Sequence, residues 1–393
     1  MARIKAIIRG AYGEGNFGDD VLMVACHGLL RRIYAADEIA FRFASQPSES
    51  ERAYVERLLP GINIIRFEAD ASAELVVWGG GTQFYSFSGT RTVTPFYRKA
   101  LAGLLDPKKA YNYLVRKTFN GKYNSRQRFA ALGVGIGPFV SGSAEEGYTR
   151  DLFSCMDFVA VRDDDSMRLC QTWNVTKAAL RSDLCFLPGV WWPEQIQAIG
   201  SSCQERQIGI IVRDWPHDAA GAAYDAPLLS AVGNLRKAGY AVSFIIFRAD
   251  GDSGWVKTLN ANGESFLSWK PASQSIADFL GMLNGFDCFL TARYHGALFG
   301  ALLGKPVICI EVEPKLRLVS ELLGCHLWKQ PFEASNCIAL IEETFQNYDD
   351  IQDRILEAVR GQRELAASMM QEFLAFATGR ALKPAPALEQ AFT

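Results

Sequence analysis

Short apolar runs alternate with amphipathic ones along most of the chain. The spacing predicts strands over 4–8, 39–43, 74–78, 129–136, 158–161 and 178–180, with helices over 21–34, 50–59, 144–156 and 166–173. Such βα alternation implies an α/β fold in which a mostly parallel sheet is covered by helices on both faces. The pattern pauses after Leu187-Pro188-Gly189-Val190-Trp191-Trp192-Pro193, then resumes with strands over 208–212, 242–247, 288–290 and 307–310 and helices over 227–238 and 276–284. A domain boundary is therefore placed near 190–205, giving domains 1–190 and 205–345. A last amphipathic stretch, 349–376, reads as one long helix packing back across the first domain, and the tail beyond Arg380 reads as loose.

Length agrees with this division. At 393 residues the chain exceeds the size at which one hydrophobic core usually keeps growing, so two domains with a cleft between them are expected. Apolar residues make up 49% and aromatics 12%, which is enough for a sizeable core. A net charge of -2 gives no general attraction to nucleic acid, so any taste for anions must come from a few placed arginines. The nine cysteines are odd in number, scattered and free of any C-x-x-C pair, as in a reduced cytoplasmic protein. The N-terminal residues lack the apolar core of a signal peptide, and no segment reaches transmembrane length.

One stretch departs from the alternation. Between 90 and 128 lie ten lysines and arginines, from Arg91 to Arg128, opposed only by Asp106 and interleaved with Phe96, Tyr97, Tyr111, Tyr113, Phe119 and Tyr123. This composition suits contact with an anionic lipid surface, a sugar or a partner protein. The plainer alternative is a solvated helical hairpin. If 91–128 does dock on lipid, the protein belongs at the inner face of a membrane.

The segment Thr291-Ala292-Arg293-Tyr294-His295-Gly296 carries the clearest chemistry. It sets an arginine and a histidine where a strand at 288–290 turns into a helix at 297–303. A helix start offers unpaired amides and a partial positive charge, so a phosphate or carboxylate can dock beside His295, with Arg293 as a fixed cation. A cap and a surface charge would be the ordinary explanation of the same residues. Other strand ends carry further candidates. Gly10 to Asp20 forms a glycine-rich first connection that matches a dinucleotide loop only loosely, and Asn16 and Asp19 in it read as hydroxyl ligands or helix caps. Gly79, Gly80 and Gly81 place flexible backbone at another strand end. Arg162 precedes Asp163-Asp164-Asp165-Ser166, where Asp165 or Ser166 is expected to cap a helix, and no metal is demanded. Ser182-Asp183 and Arg213 follow two more strands. His27 reads as core, and His217 and His326 have no recognisable companions.

Taken in order, Gly15-Asn16-Phe17-Gly18-Asp19-Asp20, Gly79-Gly80-Gly81, Arg162-Asp163 with Ser166, Ser182-Asp183, and Arg293-Tyr294-His295-Gly296 leading into Gly304-Lys305-Pro306 resemble the polysaccharide pyruvyl transferase family. The resemblance implies two Rossmann-like domains in a GT-B-like arrangement with a cleft between them. It further implies transfer of pyruvate from phosphoenolpyruvate, as a ketal, onto two hydroxyls of one sugar or lipid-linked oligosaccharide in surface polysaccharide biosynthesis, with no cofactor. Arg293 and His295 match the family's donor-binding arginine and catalytic histidine, and Gly296, Arg213, Arg162 and Lys315 fall with them on the donor side. Where such proteins often carry an aromatic residue before a lysine, this chain reads Glu311-Val312-Glu313-Pro314-Lys315. Asn16, Asp19, Gly79, Gly80, Gly81 and Asp183 are the acceptor-side counterparts. A nucleotide-sugar glycosyltransferase and a non-catalytic assembly subunit are the alternatives, and the oligomeric state, including a homo-oligomer, is left open.

Overall fold

A computed structural model describes residues 3–43, 48–65, 73–87, 127–193, 206–217 and 220–379. The basic insertion, apart from Gln127 and Arg128, lies outside the described residues, as does the tail from Arg380. Apolar runs rich in Ile and Val form the strands because a strand covered on both faces has no polar side to present. In the first lobe these are β1 (Ala6–Arg9), β2 (Ile39–Arg42), β3 (Asn63–Ile64), β4 (Leu75–Phe84), β5 (Arg128–Ile136), β6 (Phe158–Val161) and β7 (Ala178–Leu180). The second lobe holds β8 (Gln207–Ile211), β9 (Ala241–Ile246), β10 (Phe266–Ser268), β11 (Cys288–Thr291), β12 (Val307–Ile310) and β13 (His326–Trp328).

Every pairing between described strands is parallel. The strand orders are β3-β2-β1-β4-β5-β6-β7 and β10-β9-β8-β11-β12-β13. Both sheets are thus wound outward from a central strand and then resumed on its other side. The crevice opens at that reversal, beyond the carboxyl ends of β1 and β4 in one lobe and of β8 and β11 in the other.

Three differences from the sequence reading bear on the cleft. The strand expected at 74–78 runs on through the glycines to Phe84 as β4. The edge strands β3, β10 and β13 are only two or three residues long and largely half-buried, so they leave no periodic signal. Helix α1 (Phe17–Leu30) begins four residues earlier than the pattern at 21–34 indicated, starting where the Asp20 amide reaches the Asn16 carbonyl at 2.9 Å.

That early start matters because Phe17 is fully buried in the other lobe. Its ring meets those of Phe247, Trp269, Phe279 and Phe299 at centroid distances of 5.3, 5.0, 4.6 and 5.0 Å, and its amide bonds the Phe247 carbonyl at 3.1 Å. One hydrophobic core therefore runs through both lobes. Next along the chain, the buried Asp20 accepts the Trp269 indole N–H at 2.8 Å, while its other oxygen has no partner. Burial raises the Asp20 pKa to about 8; the indole bond pulls it down by less.

The 31-residue helix Tyr348–Thr378 ties the lobes a second time. Near its start Gln352 donates to the Gly304 carbonyl at 2.6 Å, and further on Gln362 accepts from Ser182 at 2.8 Å and Glu372 takes a forked bond from Arg181 at 2.6 and 3.1 Å. At its end Arg128 donates to the Phe376 and Ala377 carbonyls, placing a cation at the negative end of the helix. No helix among the described residues is long and apolar enough to cross a membrane.

Phe17→Ala should cost about 3–5 kcal/mol in denaturant unfolding, the usual range for emptying an aromatic site in a core; a loss below ~1 kcal/mol would mean that the ring does not join the lobes. For Asp20 the folded pKa lies above the unfolded one, so its contribution to stability is complete below about pH 4 and is lost as pH rises toward about 8. Asp20→Asn, which keeps an acceptor for Trp269, is expected to melt above the wild type at pH 8 and to lose that advantage by pH 5. An equal difference at both values would contradict the assignment.

Candidate active site in the interlobe cleft

Loops leaving the carboxyl ends of both sheets enclose a cavity of about 650 Å³. Arg293, at the end of β11, is the N-cap of helix α2 (Tyr294–Leu302). The bend there is fixed by Thr291, whose hydroxyl accepts the Arg293 amide at 3.1 Å and donates to the Arg293 carbonyl at 3.0 Å. The guanidinium is paired with a carboxylate: its Nη2 lies 2.6 and 2.5 Å from the two oxygens of Asp252, which is fully buried. Asp252 sits at the N-cap of the helix Ser253–Ala261 yet does not cap it. Asp214 performs that task, accepting from the Gly254 and Trp255 amides at 2.6 and 3.1 Å, while its own amide donates to Asp252 Oδ1 at 3.1 Å and Arg293 takes the rest of that carboxylate. Arg293 Nε remains buried without a partner among the described residues.

His295 belongs to the first turn of α2 and packs on α1 of the other lobe. A Cβ placed on Gly18 would fall 2.3 Å from His295 Nδ1, so the imidazole occupies room that only glycine leaves. Its Nε2 lies 3.8 Å from Asp183 Oδ2, close enough for strong electrostatic coupling but too far for a formed hydrogen bond. Asp183 is buried and also accepts from Arg162 Nη1 at 2.8 Å and from the Cys185 amide at 2.9 Å. Burial pushes this carboxyl up, but His295 and Arg162 outweigh it and hold Asp183 well below the usual carboxylate range. Arg162 in turn donates to Thr82 Oγ1 at 2.8 Å and stacks 3.9 Å over the Tyr294 ring. Burial works against its charge, yet Tyr294 and Asp183 keep its pKa above the ordinary value.

Glu313, the N-cap of helix α3 (Pro314–Leu323), pairs with both Arg213 and Lys315, the lysine Nζ at 3.1 Å. Burial brings the Lys315 pKa down to about 8; Glu313 opposes the drop, and Arg213 and Arg162 add to it. On the facing wall Asn16 donates to Asp19 at 2.6 Å instead of capping α1. Arg248 pairs with Glu14 at 2.8 Å, and Arg168 with Asp165. Each arginine or lysine of the cavity thus has a carboxylate beside it.

Of the residues singled out from the sequence, Arg293, His295, Arg213, Arg162, Lys315, Asn16 and Asp19 line this one cavity. The rest serve from behind it. Gly296 allows α2 to close on its strand, since an added Cβ would lie 2.3 Å from Thr291 Oγ1. Gly79 and Gly80 lie inside β4, where added Cβ atoms would fall 2.6 Å from Cys26 Sγ and 2.7 Å from Leu22 Cδ2, and Gly81 follows them in the strand. They bring β4 close to α1. Asp183 sits beneath His295 rather than in the cavity, and the cap of the helix Asp164–Thr172 is Asp163, bonded to the Ser166 amide at 2.8 Å, not Asp165 or Ser166. His217, unplaced by the sequence, stacks on Phe87, and His326 lies 3.8 Å from Glu343. His27 is half-buried, its pKa lowered to about 4 by burial and then by Arg31. Sequence reasoning missed Asp252 and the seat made by Gly18. The first follows a strand at its carboxyl end and so was open to the same rule; the second shows only when the lobes meet.

Asp183, Cys185 and His295 bring one possible ligand atom each within 4.8 Å of one another. The set suits a cation poorly, because Arg162 already occupies Asp183 and burial pushes the Cys185 thiol well up, away from the thiolate a metal needs.

Residues 16–314 match the family model described as polysaccharide pyruvyl transferase. No curated protein matches the sequence significantly. Among solved structures, a glycosyltransferase from Rickettsia africae aligns at 13% identity and a TM-score of 0.52, covering 96% of this chain and 99% of that one. UDP-GlcNAc 2-epimerase from Neisseria meningitidis, bound to UDP-GlcNAc, aligns at 11% and 0.57, covering 94% and 100%. Anabaena HepE in complex with UDP gives 10% and 0.55, covering 96% and 100%. At such identities the likeness is one of fold, the GT-B-like pairing of two mostly parallel sheets.

Gly18→Ala should displace the His295 ring and cost about 1–3 kcal/mol, as overpacking usually does. A crystal structure and a melting curve of the variant check both effects; an unmoved ring with unchanged melting would show that Gly18 does not set the position of His295.

Proposed function

The chain belongs to the polysaccharide pyruvyl transferase family, and from that premise we propose that it moves pyruvate from phosphoenolpyruvate onto two hydroxyls of one sugar, as a ketal, in bacterial surface polysaccharide biosynthesis. The acceptor is a sugar or a lipid-linked oligosaccharide, the reaction takes no cofactor, and the site of action is cytoplasmic. The reading rests chiefly on one observation: His295 and Arg293 enter a single cavity from one helix start, with Arg213 and Lys315 lining the same space.

The chemistry needs a proton donor, a grip on two anionic groups, and room for a diol. Protonation of C3 of the enol phosphate makes C2 electrophilic, and one sugar hydroxyl adds there. Phosphate then leaves and the second hydroxyl closes the ketal. Of the two hydroxyl protons, one balances the proton delivered to C3 and the other departs with phosphate. His295 is assigned as general acid and base, since imidazole ordinarily titrates near working pH. The Asp183 carboxylate lies 3.8 Å from its Nε2.

Arg293, Arg213, Lys315 and the start of α2 take the donor's carboxylate and phosphate. Arg162, buried against Tyr294 and bonded to Asp183, acts through those partners as a positioning residue. Asn16 and Asp19 hydrogen-bond the acceptor hydroxyls. Peripheral membrane contact through 91–128 would bring a lipid-linked acceptor to the cleft.

His295→Ala should lower turnover by roughly 10² to 10⁴, the usual contribution of a general acid or base. The assay is phosphate release from phosphoenolpyruvate together with the mass gained by a glycoside, and near-normal turnover would overturn the role. The wild type should melt higher with phosphoenolpyruvate, by about 2.7 kcal/mol of stability at a hundredfold excess over Kd, and be unchanged by UDP or UDP-sugars. The reverse pattern would favour nucleotide-sugar transfer.

A further inference from the structure

Four aromatic rings gather where the two lobes meet at the cavity wall. Tyr85 and Phe87 follow β4 in the first lobe; Trp215 and His217 follow β8 in the second. Phe87 lies 4.8 Å from Tyr85, 4.9 Å from Trp215 and 4.6 Å from His217, the last nearly parallel at 29°. Trp215 and His217 meet edge to face at 4.6 Å. All four line the cavity. The Trp215 ring is 5% exposed and serves as the floor, whereas Tyr85, at 45%, is the most exposed large hydrophobic side chain among the described residues.

We propose that Tyr85, Phe87 and His217, seated on Trp215, form a stacking subsite for a pyranose ring of the acceptor. The inference rests on the reading of the cleft as a sugar-modifying site and deepens it. A pyranose presents one face of polarised C–H bonds and an edge of hydroxyls. The C–H face matches the negative face of an aromatic ring, while the hydroxyl edge needs polar partners, and Asn16 and Asp19 lie on the same cavity. A concave wall with an apolar platform and a few polar groups is the usual form of a small-molecule site. The platform also borders the anion side, because the Arg213 guanidinium stacks 4.5 Å over Trp215 while pairing with Glu313. A sugar resting there lies next to the groups assigned to the donor. Because the rings come from both lobes, the platform exists only in the joined molecule.

Saturation-transfer NMR on the full chain, using the methyl glycosides of glucose, galactose, mannose and N-acetylglucosamine, tests the subsite without donor. At least one glycoside should receive saturation, strongest on the C–H protons of one ring face. Tyr85→Ala should weaken its Kd about tenfold, or ~1.4 kcal/mol, and Tyr85→Phe should restore it. Binding by none of the four, or equal binding to Tyr85→Ala, would overturn the proposal; so would UDP competing for the rings with the glycosides excluded. Parallel melts with phosphoenolpyruvate separate the two readings. Glycoside binding that depends on Tyr85 while phosphoenolpyruvate fails to stabilise the wild type would support the platform and count against the donor assignment. Stabilisation by phosphoenolpyruvate without glycoside binding would sink the platform alone.

Discussion

Burial of Phe17 among Phe247, Trp269, Phe279 and Phe299 carries the first turn of α1 out of its own lobe and into the core of the other. The geometry of the cleft follows from this anchor. With residue 17 fixed, Gly18 is presented to the imidazole of His295, and Asp20 is directed to Trp269. Asn16 and Asp19, three residues apart and so on one side of the turn, are left to line the cavity. A single helical turn thereby supplies the joint, the seat of the histidine and part of the facing wall. The same core makes relative movement of the lobes costly, since opening would expose five aromatic side chains to water.

Charge in the cleft is arranged in pairs. A buried guanidinium without a counter-ion costs several kcal/mol, and Asp252, Asp183 and Glu313 meet that cost for Arg293, Arg162 and for Arg213 with Lys315. The outcome is a set of cations held in place before any ligand arrives, at the expense of much of their long-range pull. What remains for an incoming anion is local: the start of α2, where no side-chain cap is made among the described residues. Such a site selects by shape and hydrogen bonding more than by net charge, in keeping with a protein whose overall charge is only -2.

The interior strands were legible in the sequence because burial on both faces leaves continuous runs such as Ala6–Arg9 and Val307–Ile310. Of the edge strands only β7 was read, at 178–180; β3, β10 and β13, two or three largely half-buried residues each, were not. Gly79, Gly80 and Gly81 were read as a strand end because glycine after an apolar run usually marks a turn; here they let β4 continue under α1. Arg293 and His295 were found from local pattern alone, but their controlling partners were not. Asp252 is 41 residues away from Arg293 in sequence, and Gly18 lies in the other lobe. Arg162 reads as a cleft cation at its strand end and does line the cavity; its contacts with Tyr294, Asp183 and Thr82 show only in the structure.

The central claim is that one cavity at the lobe junction holds an enol phosphate against His295. A crystal structure of the protein soaked with phosphoenolpyruvate tests it most directly. The account predicts the carboxylate and phosphate among Arg293, Arg213 and Lys315, with C3 of the donor beside the His295 imidazole. Density for the donor outside the cleft, or C3 facing away from His295, would contradict it.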